Sequence, residues 1–233
     1  MSEPSGPGGP GGRSRGGKVR VKTSKRRSVS SNRWLERQLN DPYVTAAKAA
    51  GYRSRAAFKL KELDEQFNLL GQVERVLDLG AAPGGWCQIV KARRPRAVVV
   101  GIDLLPIEPM AGVVFFEKDI LDDDAEDVLR AALGGAADLV MSDMAANTVG
   151  HKATDHLRTM GLIEAGLDMA GRMLRPGGAF VAKVLAGGGD GVLTAALRAK
   201  FQSVKHVKPP ASRKGSSEWY VVAQGFKGEQ VLA

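Results

Sequence analysis

One cysteine, Cys87, and three histidines stand in 233 residues. A single thiol closes no internal disulfide, which excludes a disulfide-stapled secreted domain and makes a reducing cytoplasm the default. So few Cys and His side chains give no basis for a Cys/His metal site. No run of eighteen apolar residues occurs, so no membrane-spanning helix is expected. The N-terminus also lacks the apolar run of a secretory signal. Aromatics are scarce at 6%, yet hydrophobic residues reach 43%, enough for a buried core. The length suits one α/β domain, read as a monomer. Acids are outnumbered too: 34 Lys and Arg against 25 Asp and Glu give a formal net charge of +9.

The excess is unevenly placed. Residues 1–32 carry Arg13, Arg15, Lys18, Arg20, Lys22, Lys25, Arg26 and Arg27 against one acid, Glu3, which is +7 of the +9. The segment is rich in Gly, Pro, Ser and Arg. It cannot bury enough surface to offset the entropy of ordering it, so it is read as a disordered basic arm. Such an arm suits a polyanion, either nucleic acid or an anionic membrane surface. Residues 33–233 are read as a single domain of nearly balanced charge.

Asp41-Pro42 looks like an N-cap followed by proline at the first helical position. Ser54 opens a second helical stretch in which Ala56, Leu60, Leu63 and Phe67 share a face flanked by Lys59. Short apolar runs then alternate with helical patterns. Val73–Gly80, Ala97–Leu104, Val113–Ile120, Ala137–Met144 and Gly178–Leu185 read as strands of a parallel sheet covered on both faces. Leu157, Met160, Ile163, Leu167, Ala170 and Leu174 form a helix stripe that Arg175-Pro176-Gly177-Gly178 ends. Phe201–Val207 and Trp219–Phe226 can pair as an antiparallel edge. The whole is a doubly wound α/β sheet.

Asp78-Leu79-Gly80-Ala81-Ala82-Pro83-Gly84-Gly85-Trp86 ends the first strand. Its glycines permit a tight turn and close backbone approach to a ligand. It is neither the dinucleotide fingerprint, since Ala82 replaces the second glycine, nor a P-loop, since no Lys-Ser/Thr follows. A nucleoside-type cofactor without a pyrophosphate fits better. Asp103 ends the second strand, where an acid accepts hydrogen bonds from ribose hydroxyls. Asp119, after the third, could receive an exocyclic adenine amine. Together the acids make S-adenosylmethionine (SAM) the leading cofactor. Asp143 ends the fourth strand at the switch-point edge. Lys183 lies in an apolar fifth strand, where an ammonium is costly unless paired, which makes it a candidate base. Glu218 heads the last strand. Cys87 is read as a packed small residue, and His151 and His156 as loop and cap-region polar residues.

Ser54–Leu60, the Asp78–Trp86 run, Asp103-Leu104-Leu105-Pro106, Ser142-Asp143-Met144 and Phe180-Val181-Ala182-Lys183-Val184 resemble the FtsJ/RlmE family. These are SAM-dependent ribosomal RNA 2′-O-methyltransferases. The resemblance spans about Trp34 to Phe226, with the motifs in order. It implies a mostly parallel, seven-stranded Rossmann-like methyltransferase fold with an antiparallel edge strand. It also implies a Lys-Asp-Lys-Glu tetrad, which falls on Lys59, Asp143, Lys183 and Glu218. Cofactor contacts fall on Gly80, Gly84, Trp86, Asp103, Asp119 and Asp143. One departure is Ala146, where bacterial members usually have proline; it removes no functional group.

The implied activity is methylation of a ribose 2′-oxygen in large-subunit (23S) ribosomal RNA, on a uridine of the peptidyl-transferase A-loop in the assembled 50S subunit. Arg53, Arg55, Lys61, Lys205, Lys208, Arg213 and Lys214 flank the tetrad in sequence and are the candidate RNA contacts. A tRNA-directed relative and a non-catalytic RNA-binding assembly factor are the alternatives, and the filled tetrad weighs against the second. A nicotinamide dehydrogenase is disfavoured by the absent fingerprint.

Overall fold

The computed structural model describes residues 32, 35–36, 38–146, 151–185 and 190–228, without the side chains of 152, 153, 155, 156 and 190. The basic arm up to residue 31 and Asn147 lie outside the described residues. The chain divides into two compact units, Met1–Thr45 and Ala46–Ala233. That division falls within helix α1 (Pro42–Ala49), beyond the domain start expected at residue 33. In the first unit, Asp41 Oδ1 accepts the Tyr43 N–H at 3.0 Å, the capping bond expected before Pro42.

The second unit alternates strands and helices: α2 (Ala56–Phe67), β1 (Arg75–Leu79), α3 (Gly85–Arg93), β2 (Val98–Asp103), β3 (Val113–Glu117), α4 (Ala125–Leu133) and β4 (Ala137–Ser142). Then come α5 (Lys152–Met173), β5 (Leu174–Leu185), α6 (Asp190–Lys200), β6 (Phe201–Val207) and β7 (Glu218–Phe226). One seven-stranded sheet runs β3-β2-β1-β4-β5-β7-β6. All pairs are parallel except the two that β7 makes with β5 and β6. The reversed strand therefore sits one place in from the edge, and β6 is the edge itself.

Alternation along the strands sorts the core into two layers. Leu77, Val140, Phe180, Ala182, Val221 and Ala223 pack with α4, α5 and α6 on one face. Val76, Leu139, Met141, Val181, Tyr220 and Val222 pack with α2 and α3 on the other. Each face is covered, which is why the strands read as continuous apolar runs.

Three local readings are adjusted. The helix expected to open at Ser54 begins at Ala56, and Ser54 Oγ is buried without a hydrogen-bond partner among the described residues. Arg175-Pro176-Gly177-Gly178 lies inside β5 as a register irregularity, because Ala137 pairs Leu174 and Leu139 pairs Ala179. Leu157 is exposed, so the buried stripe of α5 begins nearer Ile163.

Candidate active site

The sheet's strand order reverses between β1 and β4, and ligands of open α/β sheets bind outside the carboxyl ends at such a point. Two cross-strand registers build the chemistry there. Ser142 pairs Ala182, so Asp143 emerges from β4 beside Lys183 of β5. Lys183 in turn pairs Tyr220 of β7 directly, and Glu218 is two residues before Tyr220 on the same face. Helix α2 packs over that face and adds Lys59 from above.

Lys59 is only 7% exposed. Its ammonium is compensated three ways: it pairs with Glu218, donates to Tyr220 Oη at 2.9 Å and lies 3.8 Å from Asp143 Oδ1. A buried charge with this many partners is tolerated where a bare one is not. Lys183 Nζ donates to the Asp143 carbonyl at 2.5 Å and is 3.2 Å from Asp143 Oδ1. The four residues of the expected tetrad are thus one connected network.

Tyr220 is its hub, and sequence reasoning did not single it out. Its Oη stands 2.5 Å from Asp143 Oδ1 and 2.9 Å from Glu218 Oε1. A phenol has one proton to donate, so it serves one carboxylate at a time while accepting from Lys59. Burial first, then the charges of Asp143 and Glu218, raise the phenol well above its ordinary range. It therefore stays protonated. The available signal was the two-residue spacing from Glu218 on a strand.

A cavity of about 270 Å³ opens beside the network, lined by Gly80, Asp103, Leu104, Asp119, Ile120 and Asp143 among others. Gly80 has φ +75°, and a Cβ there would lie 2.5 Å from Met144 Cγ. Only glycine lets the two loops meet so closely. Asp103 accepts one N–H on each oxygen, from Ala82 and Leu105, both at 2.9 Å. Asp119 Oδ1 accepts from Leu121 at 3.0 Å. Each carboxylate oxygen keeps a further lone pair for a ligand hydroxyl or amine. Gly84 and Trp86 stand at the start of α3, outside this lining. The Trp86 ring is buried, donates to the Ala56 carbonyl at 2.8 Å and packs 5.8 Å from Tyr220. Its side chain joins α2 to the network.

With that geometry in place, comparison with known proteins is decisive. Residues 52–226 match the model of the FtsJ-like methyltransferases. The chain belongs to the FtsJ-like methyltransferase family. It is 66% identical over 224 residues to the ribosomal RNA large subunit methyltransferase E of Sphingopyxis alaskensis, covering 96% of this chain and 97% of that one. It is also 66% identical to the protein of the same description from Novosphingobium aromaticivorans, over 90% of this chain and 94% of that one. Among solved structures, a ribosomal RNA methyltransferase from Plasmodium falciparum superposes with a TM-score of 0.70 at 30% identity, covering 76% of this chain and 100% of that one.

In this FtsJ-like methyltransferase the candidate RNA cations divide into two sets. Arg53 donates to the carbonyls of Pro83, Glu108 and Pro109 at 3.2, 2.6 and 2.7 Å. Arg55 donates to Ala211 at 2.5 Å, and Lys208 to Ser216 at 2.5 Å. These three hold loops in place. Lys205 and Lys214 are exposed, and Lys61 and Arg213 are half-buried. Beneath the cofactor loop, Cys87 is buried and donates to Asp78 Oδ2 at 3.1 Å. Among the described residues, no cluster of three or more His, Cys, Asp or Glu could hold a metal, and no helix is long and apolar enough to cross a membrane.

Proposed function

We propose that this methyltransferase uses SAM to methylate a ribose 2′-oxygen of large-subunit ribosomal RNA, on a uridine of the A-loop in the assembled 50S subunit. The protein is read as a cytoplasmic monomer. The observation that carries the reading is the Lys59–Glu218–Tyr220–Asp143–Lys183 network at the rim of an acid-lined cavity. The relatives' descriptions as large-subunit ribosomal RNA methyltransferases supply the substrate class.

The cavity residues suit SAM. Asp103 would offer lone pairs to ribose hydroxyls and Asp119 to an amine, while Leu104 and Ile120 would supply apolar surface for the faces of an adenine ring. When bound, SAM supplies a methyl on a cationic sulfonium that is already a good leaving group.

What remains for the chain is alignment and one proton. A ribose hydroxyl is a very weak acid, so a base held in place is needed. Lys183 Nζ is that base, fixed by the carbonyl and carboxylate of Asp143. Glu218, Tyr220 and Asp143 surround Lys59 Nζ and fix it beside Asp143. The two carboxylates of the network, Asp143 and Glu218, would complement a cationic methyl donor. Lys183 would take the 2′-hydroxyl proton, and its charged form would be held by the carbonyl and carboxylate of Asp143. Lys61, Lys205, Arg213 and Lys214 supply the phosphate contacts near the crevice.

Labelled SAM with large subunits, naked large-subunit RNA and tRNA tests the reading, followed by mapping of the modified nucleotide. Label is expected in the large subunit, as a 2′-O-methyluridine. Label confined to tRNA overturns the substrate, and a methyl on a base overturns the chemistry.

A further inference from the structure

The opposite, N-terminal edge of the sheet carries a second concave surface that the chemistry leaves unused. A cavity of about 590 Å³ opens there, lined by Arg75, Arg93, Arg94 and Arg96, with Glu74 as its one acid. The chain beyond residue 32 has a net charge of only +2, so this is a local concentration of cations. Two of the guanidiniums are fixed by the fold. Arg75 Nε donates to Leu133 at 3.2 Å, and Arg94 donates to Val73 and Gly71 at 3.2 and 3.1 Å. Those bonds leave the Nη groups of Arg75 and one Nη of Arg94 without partners among the described residues. Arg93 and Arg96 are exposed; Arg93 lies 3.6 Å from Asp64, and Arg96 has no ion pair among the described residues.

Arg75 opens β1 and Leu79 closes it, immediately before the cofactor loop. Four steps of about 3.3 Å separate these ends by roughly 13 Å, before the loops are added. A nucleotide seated at Lys183 cannot also reach Arg96, whereas a long folded RNA can.

We propose that the arginine-lined cavity is a second RNA-phosphate site, which grips a segment of the substrate RNA remote from the methylated ribose. It rests on the RNA substrate of the proposed function. Guanidinium forks pair bidentately with phosphate oxygens, and two of these forks are already held in place by backbone carbonyls. Such contacts orient an RNA without reading its sequence. The consequence is selection by size: a minimal stem-loop engages the catalytic edge only, and a large RNA engages both edges.

Arg93→Gln/Arg96→Gln tests this while leaving Arg75 and Arg94 to hold the fold, and unchanged thermal stability and SAM affinity verify that it does. Binding is measured across a salt series for a minimal target stem-loop, for full-length large-subunit RNA and for intact large subunits. The variant binds the full-length RNA about tenfold to a hundredfold more weakly. Its log K against log salt slope falls by about 1.5 to 2. Stem-loop binding and kcat are unchanged. Equal affinity of variant and wild type for the full-length RNA overturns the proposal. So does an equal loss on both RNAs, which marks a diffuse charge effect. A loss confined to intact subunits also overturns it, because a subunit protein then occupies the cavity. Binding is read without turnover, so a wild-type enzyme that fails to methylate large-subunit RNA counts against the proposed function alone.

Discussion

Lys183 and Tyr220 face each other across one β5–β7 pair, yet their removal has different expected effects. Lys183→Ala deletes the proposed base, and methyl transfer is expected to fall by about 10²- to 10⁴-fold with SAM affinity nearly unchanged. Near-wild-type single-turnover rates sink the assignment. Tyr220→Phe removes the one hydroxyl that ties Asp143 to Lys59. It lowers the transfer rate about tenfold, the scale of one hydrogen bond to a charged group, and leaves the fold intact. An unchanged rate shows that the lysines hold Asp143 without it. Lys59, Asp143, Lys183 and Glu218 were singled out because each stands in a short motif of the family, and the structure joins their side chains in one network. Tyr220 was not, because a tyrosine in a strand reads as core until its hydroxyl is seen among carboxylates. Asp78 was passed over for a similar reason, as one letter of a glycine-rich run. Burial raises its carboxyl to about 7, opposed by the Cys87 thiol and reinforced by Asp143 and Asp103. The fold therefore keeps a proton that the unfolded chain releases near 3.8. Stability from this group is full below about 4, falls as pH rises and levels off above about 7, by up to about 1.4 kcal/mol per pH unit. Melting curves across that range should show Asp78→Asn free of this slope, and parallel profiles for variant and wild type contradict it.

At the scale of elements, the strands were readable and their order was not. Arg75–Leu79 and Ala137–Ser142 announce themselves as buried apolar runs, but nothing local says that β7 inserts between β5 and β6. That insertion is a long-range pairing, and it is what brings Glu218 and Tyr220 opposite Lys183. Had β6 taken the inner place, the catalytic edge would lack its second carboxylate. The N-terminal ends of three strands are fastened by one residue, Asp138 of β4. Its Oδ2 accepts the Glu74 and Arg75 N–H groups at 2.7 and 2.8 Å, and its Oδ1 pairs with Arg175. Burial pushes the Asp138 carboxyl up, yet the Arg175 guanidinium and the two N–H groups hold it below the usual range. Asp138→Ala leaves two strand N–H groups without their acceptor and costs about 2–4 kcal/mol in urea unfolding. A loss within about 0.5 kcal/mol, as for an ordinary surface site, shows that the three strand ends are held by their ladders alone.

For the whole molecule, charge and chemistry separate along the chain. The first 32 residues hold +7 of the +9, while the network at the sheet edge joins two lysines to two acids. Net charge therefore points to a polyanion partner and says nothing of the reaction. If the arm is the tether that its charge suggests, it contributes through counterion release, which is steep in salt and indifferent to sequence. Its eight cations raise encounter with RNA at low ionic strength, and screening within about 10 Å removes most of that gain near 0.1 M salt. Deleting residues 1–32 should therefore raise KM for ribosomal RNA at low salt, flatten the salt dependence and leave kcat at saturating RNA unchanged. Steady-state kinetics of the truncated and full chains at two salt concentrations read all three. A large fall in kcat at saturating RNA contradicts a tether, since it means that the first 32 residues act at the reacting ribose itself.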